Sequence, residues 1–456
     1  MQYIQFLLPA APLLLDFFRE SCYPTVRRAF HSKRGFQSEK EDRMNQLLRQ
    51  HADRIVREAI AAVQPDAAVR RALEGRQYPG RVLLAAAGKA AWRMAKAASD
   101  CLGERIEAGV VVTKYGHVMG PIANFDCYEA GHPVPDENSF RGARAILDLT
   151  DALQPEDTVI LLLSGGGSAL FEKPLIPAEE LRDLNSQLLA CGADIVEINT
   201  IRKRFSAVKG GRFALHCAPA RVEALLLSDV LGDAPDMIAS GPASPDSSTA
   251  QDAKRIAAKY GLKLSEEAWR LLDVETPKAL HNAEAQIIGS VRALCAAAAE
   301  SCRALGYEPI LLTDQLCCQA REAGSFLASV LKTHRGCGRN LAFLAGGETV
   351  VKLTGTGKGG RNQELALAAA PGIADMKDAA VFSVGSDGTD GPTDAAGGYV
   401  DGDSCAALRA AGLTVDQVLR ENDAYHALEK IGGLIFTGPT GTNVNDIAAA
   451  LLRAAE

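Results

Sequence analysis

The sequence predicts a two-domain α/β protein. At 456 residues the chain exceeds the roughly 250–300 residues beyond which a single hydrophobic core stops growing, so two domains are expected. Apolar runs of strand length recur along the chain, and each is followed by turn residues and an alanine-rich segment with helical periodicity. This alternation of strands and helices is typical of folds built on parallel sheets.

Nine apolar runs have the length and composition of strands. Several are continuous in Val, Ile and Leu, which is typical of parallel strands that are buried on both faces. In open sheets of this kind ligands bind at the carboxyl ends of the strands, so the loops that follow them are the candidate site. The predicted strands are Val82–Ala87, Ala108–Thr113, Thr158–Leu163, Glu223–Leu227, Ala285–Ile288, Pro309–Leu312, Leu341–Ala345, Ala379–Val384 and Gly433–Phe436.

A polar helical stretch, Asp246–Asn282, divides the predicted strands into two groups. It contains the strand-breaking Pro277 close to its end. We therefore place the domain boundary near residue 283, which gives domains of residues 44–283 and 284–456.

The first 43 residues differ from the rest of the chain. Their apolar stretch, Tyr3–Phe18, is interrupted by two prolines and an aspartate, and it is shorter than the ~20 residues that a membrane-spanning helix needs. It also lacks the basic lead-in of a signal peptide. An amphipathic helical pattern begins only at Met44, so we interpret residues 1–43 as an extension outside the domains and expect no membrane association.

Composition argues against several classes of function. With 56 acidic and 49 basic residues the formal net charge is −7, so the chain offers no positive field for nucleic acid. Its 11 cysteines are scattered without a Cys-x-x-Cys pair, which indicates reduced thiols in a cytoplasmic protein. The eight histidines lack zinc-ligand spacing, and the Gly-x-Ser-x-Gly pattern of serine hydrolases is absent.

A run of three glycines between two serines follows the third predicted strand. Backbone N–H groups without neighbouring side chains can converge on one phosphate, and the two hydroxyls can donate further hydrogen bonds. The run does not match the Gly-x-x-x-x-Gly-Lys pattern of nucleotide-binding P-loops, and a tight strand exit without a ligand is the alternative. The candidate phosphate-binding residues are Ser164, Gly165, Gly166, Gly167 and Ser168.

A second glycine-rich segment, Gly346–Glu364, mixes acidic and basic side chains. We predict a hairpin with the loop Gly355–Gly360, which would direct Arg361 and Asn362 at the start of a helix toward phosphate oxygens. Glu348 is a candidate metal ligand. The loop also matches Gly-x-Gly-x-x-Gly, but the acidic ribose partner of a dinucleotide site is missing from the end of the next strand. An exposed hairpin with ordinary surface charges is the alternative.

Three other polar residues follow predicted strands. Lys89 lies in a glycine-containing turn before a predicted helix, where its ammonium can face a phosphate or simply remain solvated. Asp229 follows the strand Glu223–Leu227, where a carboxylate can orient or deprotonate a hydroxyl. Asp387 belongs to a Gly- and Pro-rich loop with three aspartates, whose oxygens suit Mg²⁺. Aspartates also form turns and cap helices, so that alternative stays open.

Taken together, these segments resemble the glycerate 2-kinase family over about residues 45–456. The resemblance rests on the order of Gly-Lys-Ala, Glu-Ala-Gly-His-Pro-Val-Pro-Asp, Leu-Ser-Gly-Gly-Gly-Ser-Ala-Leu, Gly-Gly-Glu-Thr, Gly-Gly-Arg-Asn-Gln-Glu, Asp-Gly-Thr-Asp-Gly-Pro-Thr-Asp and Gly-Pro-Thr-Gly-Thr-Asn. It implies a larger Rossmann-like α/β/α N-terminal domain, a smaller α/β C-terminal domain called MOFRL, and an active site in the cleft between them.

The resemblance further implies transfer of the γ-phosphoryl group of ATP to the 2-hydroxyl of D-glycerate in the presence of Mg²⁺. Lys89 and Arg361 would then bind substrate and stabilise charge on the transferring phosphoryl group, Gly165–Ser168 would hold phosphate, and Asp229 would orient or activate the attacking hydroxyl. Phosphoryl transfer needs mainly positioning and electrostatic stabilisation, which matches these residue types. A homodimer is compatible with the sequence, which does not determine the oligomeric state.

The sequence departs from the family in two places. Residues 1–43 match nothing in it, and Phe171-Glu-Lys173 stands where small residues are commoner, a change we expect at the rim of the cleft.

Two other functions stay open on the sequence alone. Some members of the family have been named hydroxypyruvate reductases, although the incomplete dinucleotide pattern argues against NAD(P)H. A non-catalytic sensor of a phosphorylated metabolite would use the glycine-rich loops for binding without turnover. Charged loops in both predicted domains favour an enzyme over a sensor.

Overall fold

The computed structural model describes residues 44–454, which form two six-stranded sheets surrounded by helices. The strands of the first sheet are β1 (Val82–Ala87), β2 (Ile106–Lys114), β3 (Phe125–Ala130), β4 (Thr158–Leu163), β5 (Arg221–Leu227) and β6 (Ala283–Gly289). They are all parallel, in the order β3-β2-β1-β4-β5-β6. This is the Rossmann order, and its direction reverses between β1 and β4.

The second sheet is mixed. Its strands are β7 (Glu308–Leu316), β8 (Leu341–Gly347), β9 (Ala379–Gly385), β10 (Gly397–Asp401), β11 (Leu434–Ile435) and β12 (Asp446–Leu452). Their order is β11-β10-β9-β12-β8-β7, and only β7 and β8 pair in parallel. The predicted parallel sheet is therefore confirmed for the first domain and wrong for the second, because β12 inserts antiparallel between β8 and β9.

Helices cover both faces of the first sheet and pack on the second. Within the described residues they are α1 (44–62), α2 (Pro65–Leu73), α3 (Ala91–Leu102), α4 (Glu137–Leu149), α5 (Gly167–Leu170), α6 (Ala178–Ala190), α7 (Ile195–Arg204), α8 (Arg212–His216), α9 (Ala250–Tyr260), α10 (Glu266–Leu271), α11 (Val291–Ala304), α12 (Ala320–His334), α13 (Arg361–Ala369), α14 (Ser404–Ala410), α15 (Val415–Glu421) and α16 (Ala424–Lys430). Across residues 44–454 none of the helices has the length and apolar character of a membrane span.

Alternate residues of β1 point to opposite sides of the first sheet. Leu84 belongs to a core that includes α1, α3 and α11 and continues to Leu344 on β8, so the two domains share this hydrophobic cluster. Leu83 and Ala85 pack on the other face with residues of α4 and α8. The sheet is thus buried on both faces, as its continuous apolar strands predict.

The segment after the predicted boundary begins as part of the first sheet. Strand β6, which begins at the predicted boundary of residue 283, pairs with β5 and completes the first sheet. The first domain therefore extends through Gly289. Helix α1 also contacts the second domain, where Arg49 donates hydrogen bonds to the carbonyl oxygens of Gly432 and Leu434 at 2.9 and 2.8 Å. The predicted extension, residues 1–43, lies outside the described residues.

Contacts from α1 and α3 hold the loop 438–443 of the second domain over the first sheet. Arg93 on α3 donates to the carbonyl oxygen of Thr440 at 2.6 Å and forms an ion pair with Asp66 at 2.8 Å. The Thr442 hydroxyl donates to the carbonyl oxygen of Val63 at 2.9 Å. These bonds bring a loop of the second domain to the carboxyl edge of the first sheet, where ligands bind in Rossmann-like folds.

A buried ionic cluster anchors α7 in the first domain. Lys203 contacts Asp246 at 2.9 Å, and Arg204 lies 3.7 Å from the same carboxylate, with all three side chains fully buried. Burial alone would raise the pKa of Asp246, but a 2.6 Å hydrogen bond from Thr276 and the charge of Lys203 outweigh it and lower the pKa to about 2. Asp246 therefore neutralises cations that cannot reach solvent.

We predict that Asp246→Ala lowers the free energy of unfolding by about 3–5 kcal/mol, because it leaves Lys203 and Arg204 buried with too little negative charge. Urea unfolding followed by circular dichroism measures the change. Asp148→Ala is the control, since its ion pair with Arg144 on α4 is exposed and contributes little. Equal stability of the two variants would contradict the prediction.

Candidate active site

The turns after β1 and β4 meet where the strand order reverses. The Lys89 N–H donates to the carbonyl oxygen of Gly165 at 2.9 Å, and the Ala90 N–H donates to the Ser164 hydroxyl oxygen at 3.0 Å. Gly88 has φ +130°, and a Cβ there would lie 2.2 Å from the Ser164 hydroxyl oxygen. Only glycine fits, so the turn that carries Lys89 is held directly against the three-glycine loop.

Each of the three glycines touches a different part of the surrounding loops. A Cβ on Gly165 would lie 2.2 Å from Asp229 Oδ2, and one on Gly166 would lie 2.9 Å from the His132 ring and 3.3 Å from Lys89 Cγ. On Gly167 it would meet the Ala239 side chain at 2.6 Å. The absence of side chains therefore lets a carboxylate, an ammonium-bearing chain and an imidazole converge on one loop.

The carboxylate and imidazole of this cluster have shifted pKa values. Burial raises the pKa of Asp229, and the positive charge of Lys89 opposes part of the shift. Burial and the charges of Lys89 and Lys114 lower the pKa of His132 to about 4, so its ring is neutral at pH 7. Asp229 thus binds a proton more readily than an exposed aspartate, which suits a group that accepts one from a hydroxyl.

A cavity of about 320 Å³ opens beside this cluster, between the two domains. Lys89, Ser164 and Gly165 line it from the first domain, and the loops after β9 and before β12 line it from the second. The second domain contributes Asp387 together with Thr389, Pro439, Gly441, Thr442 and Asn443. The structure therefore brings together Lys89, Ser164, Gly165 and Asp387, four of the residues that the sequence singled out.

Ser168 and Asn362 are held by other side chains of their own domains. The Ser168 hydroxyl lies 2.9 Å from that of Ser240. The Asn362 side chain, which is buried, accepts a 2.6 Å hydrogen bond from Ser383 and donates to Asp390 at 3.3 Å. Asp390 also accepts the backbone N–H groups of Asn362 and Gln363, so it caps α13 and occupies the N–H groups expected to face phosphate.

The predicted hairpin around Gly355–Gly360 is wrong. The chain there has no strand and instead follows the loop between α15 and α16. The N–H of Gly357 donates to the carbonyl oxygen of Glu421 at 2.8 Å, and the Asn422 side chain accepts the N–H of Gly355 at 2.8 Å. A Cβ on Gly355 would lie 2.4 Å from the Glu421 backbone, so these glycines allow close backbone contact.

Arg361 begins α13, as predicted, and forms ion pairs with two carboxylates. Its Nε lies 2.5 Å from Asp446 Oδ2 and its Nη1 lies 3.2 Å from Glu348 Oε1. Burial alone would lower the pKa of Arg361, but the hydrogen bonds and charges of these carboxylates outweigh it and raise the pKa. The guanidinium is thereby fixed in orientation at the wall of a second cavity.

The second cavity, of about 760 Å³, is lined by Arg361 and Glu348 at one end. Several glycines line it as well, with the polar Thr349, Glu364 and Asn422 and the apolar Leu231, Val350, Val351, Leu353 and Pro392. The two cavities lie on either side of the loop after β9, because Thr389 lines the first and Gly391 lines the second. Glu348 and Asp387 therefore border different cavities, and residues 44–454 contain no group of three or more metal-ligating side chains.

His132 lies beside the three-glycine loop, and the sequence analysis gave it no chemical role. It precedes a cis peptide bond to Pro133 and contacts Gly166. Its signal was the Gly-His-Pro-Val-Pro string, which carried the family resemblance without a chemical reason. Conversely, the expectation that Phe171-Glu-Lys173 changes the cleft rim is not met, because Phe171 and Glu172 are buried.

Two family models match the chain. The domain of unknown function DUF4147 covers residues 51–273, and the MOFRL family covers residues 341–446. A D-glycerate 2-kinase of Thermotoga maritima is 53% identical over 411 residues, which is 89% of this chain and 98% of that protein. This chain belongs to the glycerate kinase family.

Other relatives extend the comparison. The crystal structure of a glycerate kinase from Thermotoga maritima matches with a TM-score of 0.86 at 52% identity, covering 89% of this chain and 100% of that one. A protein of Agrobacterium vitis, provisionally named a hydroxypyruvate reductase, is 40% identical over 420 residues, covering 89% of this chain and 94% of that protein. The crystal structure from Thermotoga maritima thus matches both domains of this chain, in agreement with the resemblance seen in the sequence.

We predict that Gly165→Ala lowers kcat for glycerate-dependent ADP formation by about 100-fold, because the new Cβ displaces the Asp229 carboxylate 2.2 Å away. Gly192→Ala is the control. Gly192 has φ +74° but open space around its Cβ, so alanine there costs about 1–2 kcal/mol of stability and leaves kcat unchanged. A normal kcat in a folded Gly165→Ala variant would mean that the glycine loop takes no part in the reaction.

Proposed function

We propose that this chain transfers the γ-phosphoryl group of ATP to the 2-hydroxyl of D-glycerate in the 320 Å³ cavity between its domains. The observation that carries the proposal is the convergence of Lys89 and Asp229 on the three-glycine loop at the end of β4. An ammonium, free backbone N–H groups and a carboxylate at one point are what transfer to a hydroxyl requires. The D-glycerate 2-kinase relative supports the choice of acceptor position.

Lys89 and the glycine loop stabilise the negative charge of the transferring group. The Lys89 side chain passes Gly166, and its backbone is held by the hydrogen bond to Gly165, so the ammonium is available beside the glycine loop when a phosphoryl group arrives. Gly165 lines the cavity without a side chain, which lets phosphate oxygens approach the backbone. Ser164 lines the same wall.

Asp229 receives or orients the proton of the attacking hydroxyl. Its carboxylate lies against Gly165, which lines the cavity. The raised pKa of Asp229 increases its basicity, and the positive charge of Lys89 opposes part of the rise. A raised pKa serves general-base catalysis. A carboxylate that only oriented the attacking hydroxyl would need a hydrogen bond to that hydroxyl but no raised pKa.

ATP occupies the 760 Å³ cavity, with its base against the apolar wall and its phosphates toward Arg361. Pockets of this size hold ligands as large as nucleotides, and apolar walls with a few polar groups at one end are typical of them. Thr389 borders the first cavity and Gly391 the second, so the γ-phosphate approaches the acceptor beside this loop. Arg361, whose orientation Asp446 and Glu348 set, contributes positive charge to the phosphates in the second cavity.

Mg²⁺ fits the oxygen donors of the second domain. Asp387 Oδ1 accepts the Thr389 N–H at 3.1 Å, and within residues 44–454 its other oxygen has no hydrogen-bond partner. Mg²⁺ in kinase sites typically uses one or two carboxylates together with phosphate oxygens and water, so the lack of a three-residue cluster is no obstacle. Either Asp387, at the first cavity, or Glu348, at the second, would hold the ion, which when bound neutralises charge on the phosphates.

A hydroxypyruvate reductase is the second candidate, because the Agrobacterium vitis relative carries that name. A dinucleotide site in the first sheet would need glycines at three spaced positions after β1, where this chain has only Gly88 before Lys89. Gly355–Gly360 precedes a helix but follows no strand.

The ten cysteines of residues 44–454 are free thiols, which supports a cytoplasmic setting for either reaction.

The first experiment couples the reaction to enolase. We expect purified protein with D-glycerate, ATP and Mg²⁺ to give a product that enolase consumes directly, because enolase accepts 2-phosphoglycerate. Product that needs added phosphoglycerate mutase would instead indicate transfer to the 3-hydroxyl. Absence of ADP together with NADH oxidation by hydroxypyruvate would overturn the kinase in favour of the reductase.

Asp229→Asn tests the catalytic carboxylate through pH. In the wild type we expect kcat/KM to fall as the pH drops through the raised pKa of Asp229, because protonation removes the base. The asparagine variant should lose this acid limb and show a kcat about 100- to 10,000-fold lower. Asp126→Asn, at an exposed position of β3, should keep the wild-type profile. An unchanged acid limb in Asp229→Asn would assign it to another group.

A further inference from the structure

Helix α7 presents two polar side chains to the back of the three-glycine loop. Arg202 Nη2 donates to the Ser168 carbonyl oxygen at 3.0 Å. Asn199, three residues earlier and therefore on the same face of the helix, accepts from the Ser240 hydroxyl at 2.9 Å, and Ser240 contacts the Ser168 hydroxyl. This face of α7 is thus connected to the loop that carries the phosphate-binding glycines.

The charges on this face do not balance. Lys209 is fully buried and forms an ion pair with the buried Glu172. Arg202 has no carboxylate within 4.0 Å among the described residues, and its buried Nε has no hydrogen-bond partner there. Glu172 is the carboxylate whose charge acts on Arg202, and it is already paired. Two cations and one anion leave one excess positive charge beside the glycine loop.

The imbalance is specific to this face of α7. Lys203 and Arg204, on the other side of the helix, have Asp246, Asp236 and Glu275 as partners. Burial lowers the pKa of Arg202, which measures the cost of keeping the guanidinium away from water. The residue as a whole is nevertheless only half-buried, so part of its side chain is open to a ligand. A desolvated charge without a partner is costly unless a ligand pairs with it.

We propose that Arg202 binds the carboxylate of the hydroxy-acid acceptor, an inference that rests on the proposed kinase function. Ser168, whose carbonyl oxygen Arg202 contacts, follows Gly165 by three residues in the turn after β4. An acceptor lying along the turn has its carboxylate at Arg202 while its hydroxyl is at Asp229. Arg202 Nη1 makes no hydrogen bond within the described residues and can donate to a carboxylate, whose negative charge would pair with the guanidinium.

The proposal explains how the site selects hydroxy acids. Lys89 and Arg361 interact with phosphoryl oxygens, which every kinase reaction supplies, so they do not distinguish a hydroxy acid from a neutral polyol. A buried cation that stays unpaired without a carboxylate discriminates against the neutral compound, because the charge is then desolvated for no gain. Arg202 is in this sense a specificity-determining residue.

Arg202→Met removes the charge and keeps much of the side-chain volume. We expect the KM for D-glycerate to rise about 30-fold or more and the KM for ATP to stay within about twofold. The melting temperature without ligand should stay the same or increase, because an unpaired buried charge is removed. A lower melting temperature with an unchanged KM for D-glycerate would overturn the proposal and make Arg202 a structural residue.

Two further variants sharpen the result. Arg202→Lys, which keeps the charge but not the fork, should restore part of the affinity for D-glycerate. Arg182→Met, at an exposed position of α6, should behave as wild type. The ratio of kcat/KM for D-glycerate to that for its neutral amide should fall in Arg202→Met, and an unchanged ratio would count against the carboxylate contact.

Ligand-induced stabilisation separates this proposal from the kinase function itself. D-glycerate without ATP should raise the melting temperature of the wild type but not of Arg202→Met, since only binding is measured. A wild-type protein that is stabilised by D-glycerate yet forms no ADP would contradict the kinase function alone. Equal stabilisation of both proteins would contradict the role of Arg202 alone.

Discussion

The candidate site depends on the space left by the three glycines after β4. Side chains at Gly165, Gly166 and Gly167 would collide with Asp229, with His132 and Lys89, and with Ala239. Because β1, β4 and β5 are adjacent parallel strands, their carboxyl ends necessarily deliver Lys89, the glycine loop and Asp229 to one edge of the sheet. Because the glycine loop leaves space between them, these residues can come together in one candidate site at that edge.

Charge in this protein is arranged differently in the two domains. In the second domain the cation of the candidate site, Arg361, is paired with Asp446 and Glu348, and these carboxylates fix the orientation of its guanidinium. In the first domain Arg202 has no paired carboxylate among the described residues, while the neighbouring Lys203 and Arg204 are fully compensated by Asp246 and other acids. Compensated cations stabilise the fold, whereas an uncompensated one beside a glycine loop is available to a ligand.

The first domain could be predicted from sequence in more detail than the second. Strands such as β1 and β4 were predicted with their observed limits because they are continuous, apolar and bounded by turn residues. Strand β12, Asp446–Leu452, was missed because its run of alanines favours a helix locally, and only its burial between β8 and β9 makes it a strand. The same tertiary contact, absent from any local pattern, gives Arg361 its partner Asp446.

The residues of the candidate site also divide into those that local sequence patterns indicate and those that depend on tertiary packing. Lys89 and Asp229 could be proposed from sequence because each follows a recognisable strand, and neighbouring strand ends meet. Arg202 and His132 were not assigned roles, because one lies within a helix and the other in a turn, and neither position has a periodicity that marks function. What distinguishes Arg202 is a missing partner, and a missing partner is a property of the folded charge distribution. Sequence patterns report which groups are present, but only packing determines which of them remain unsatisfied.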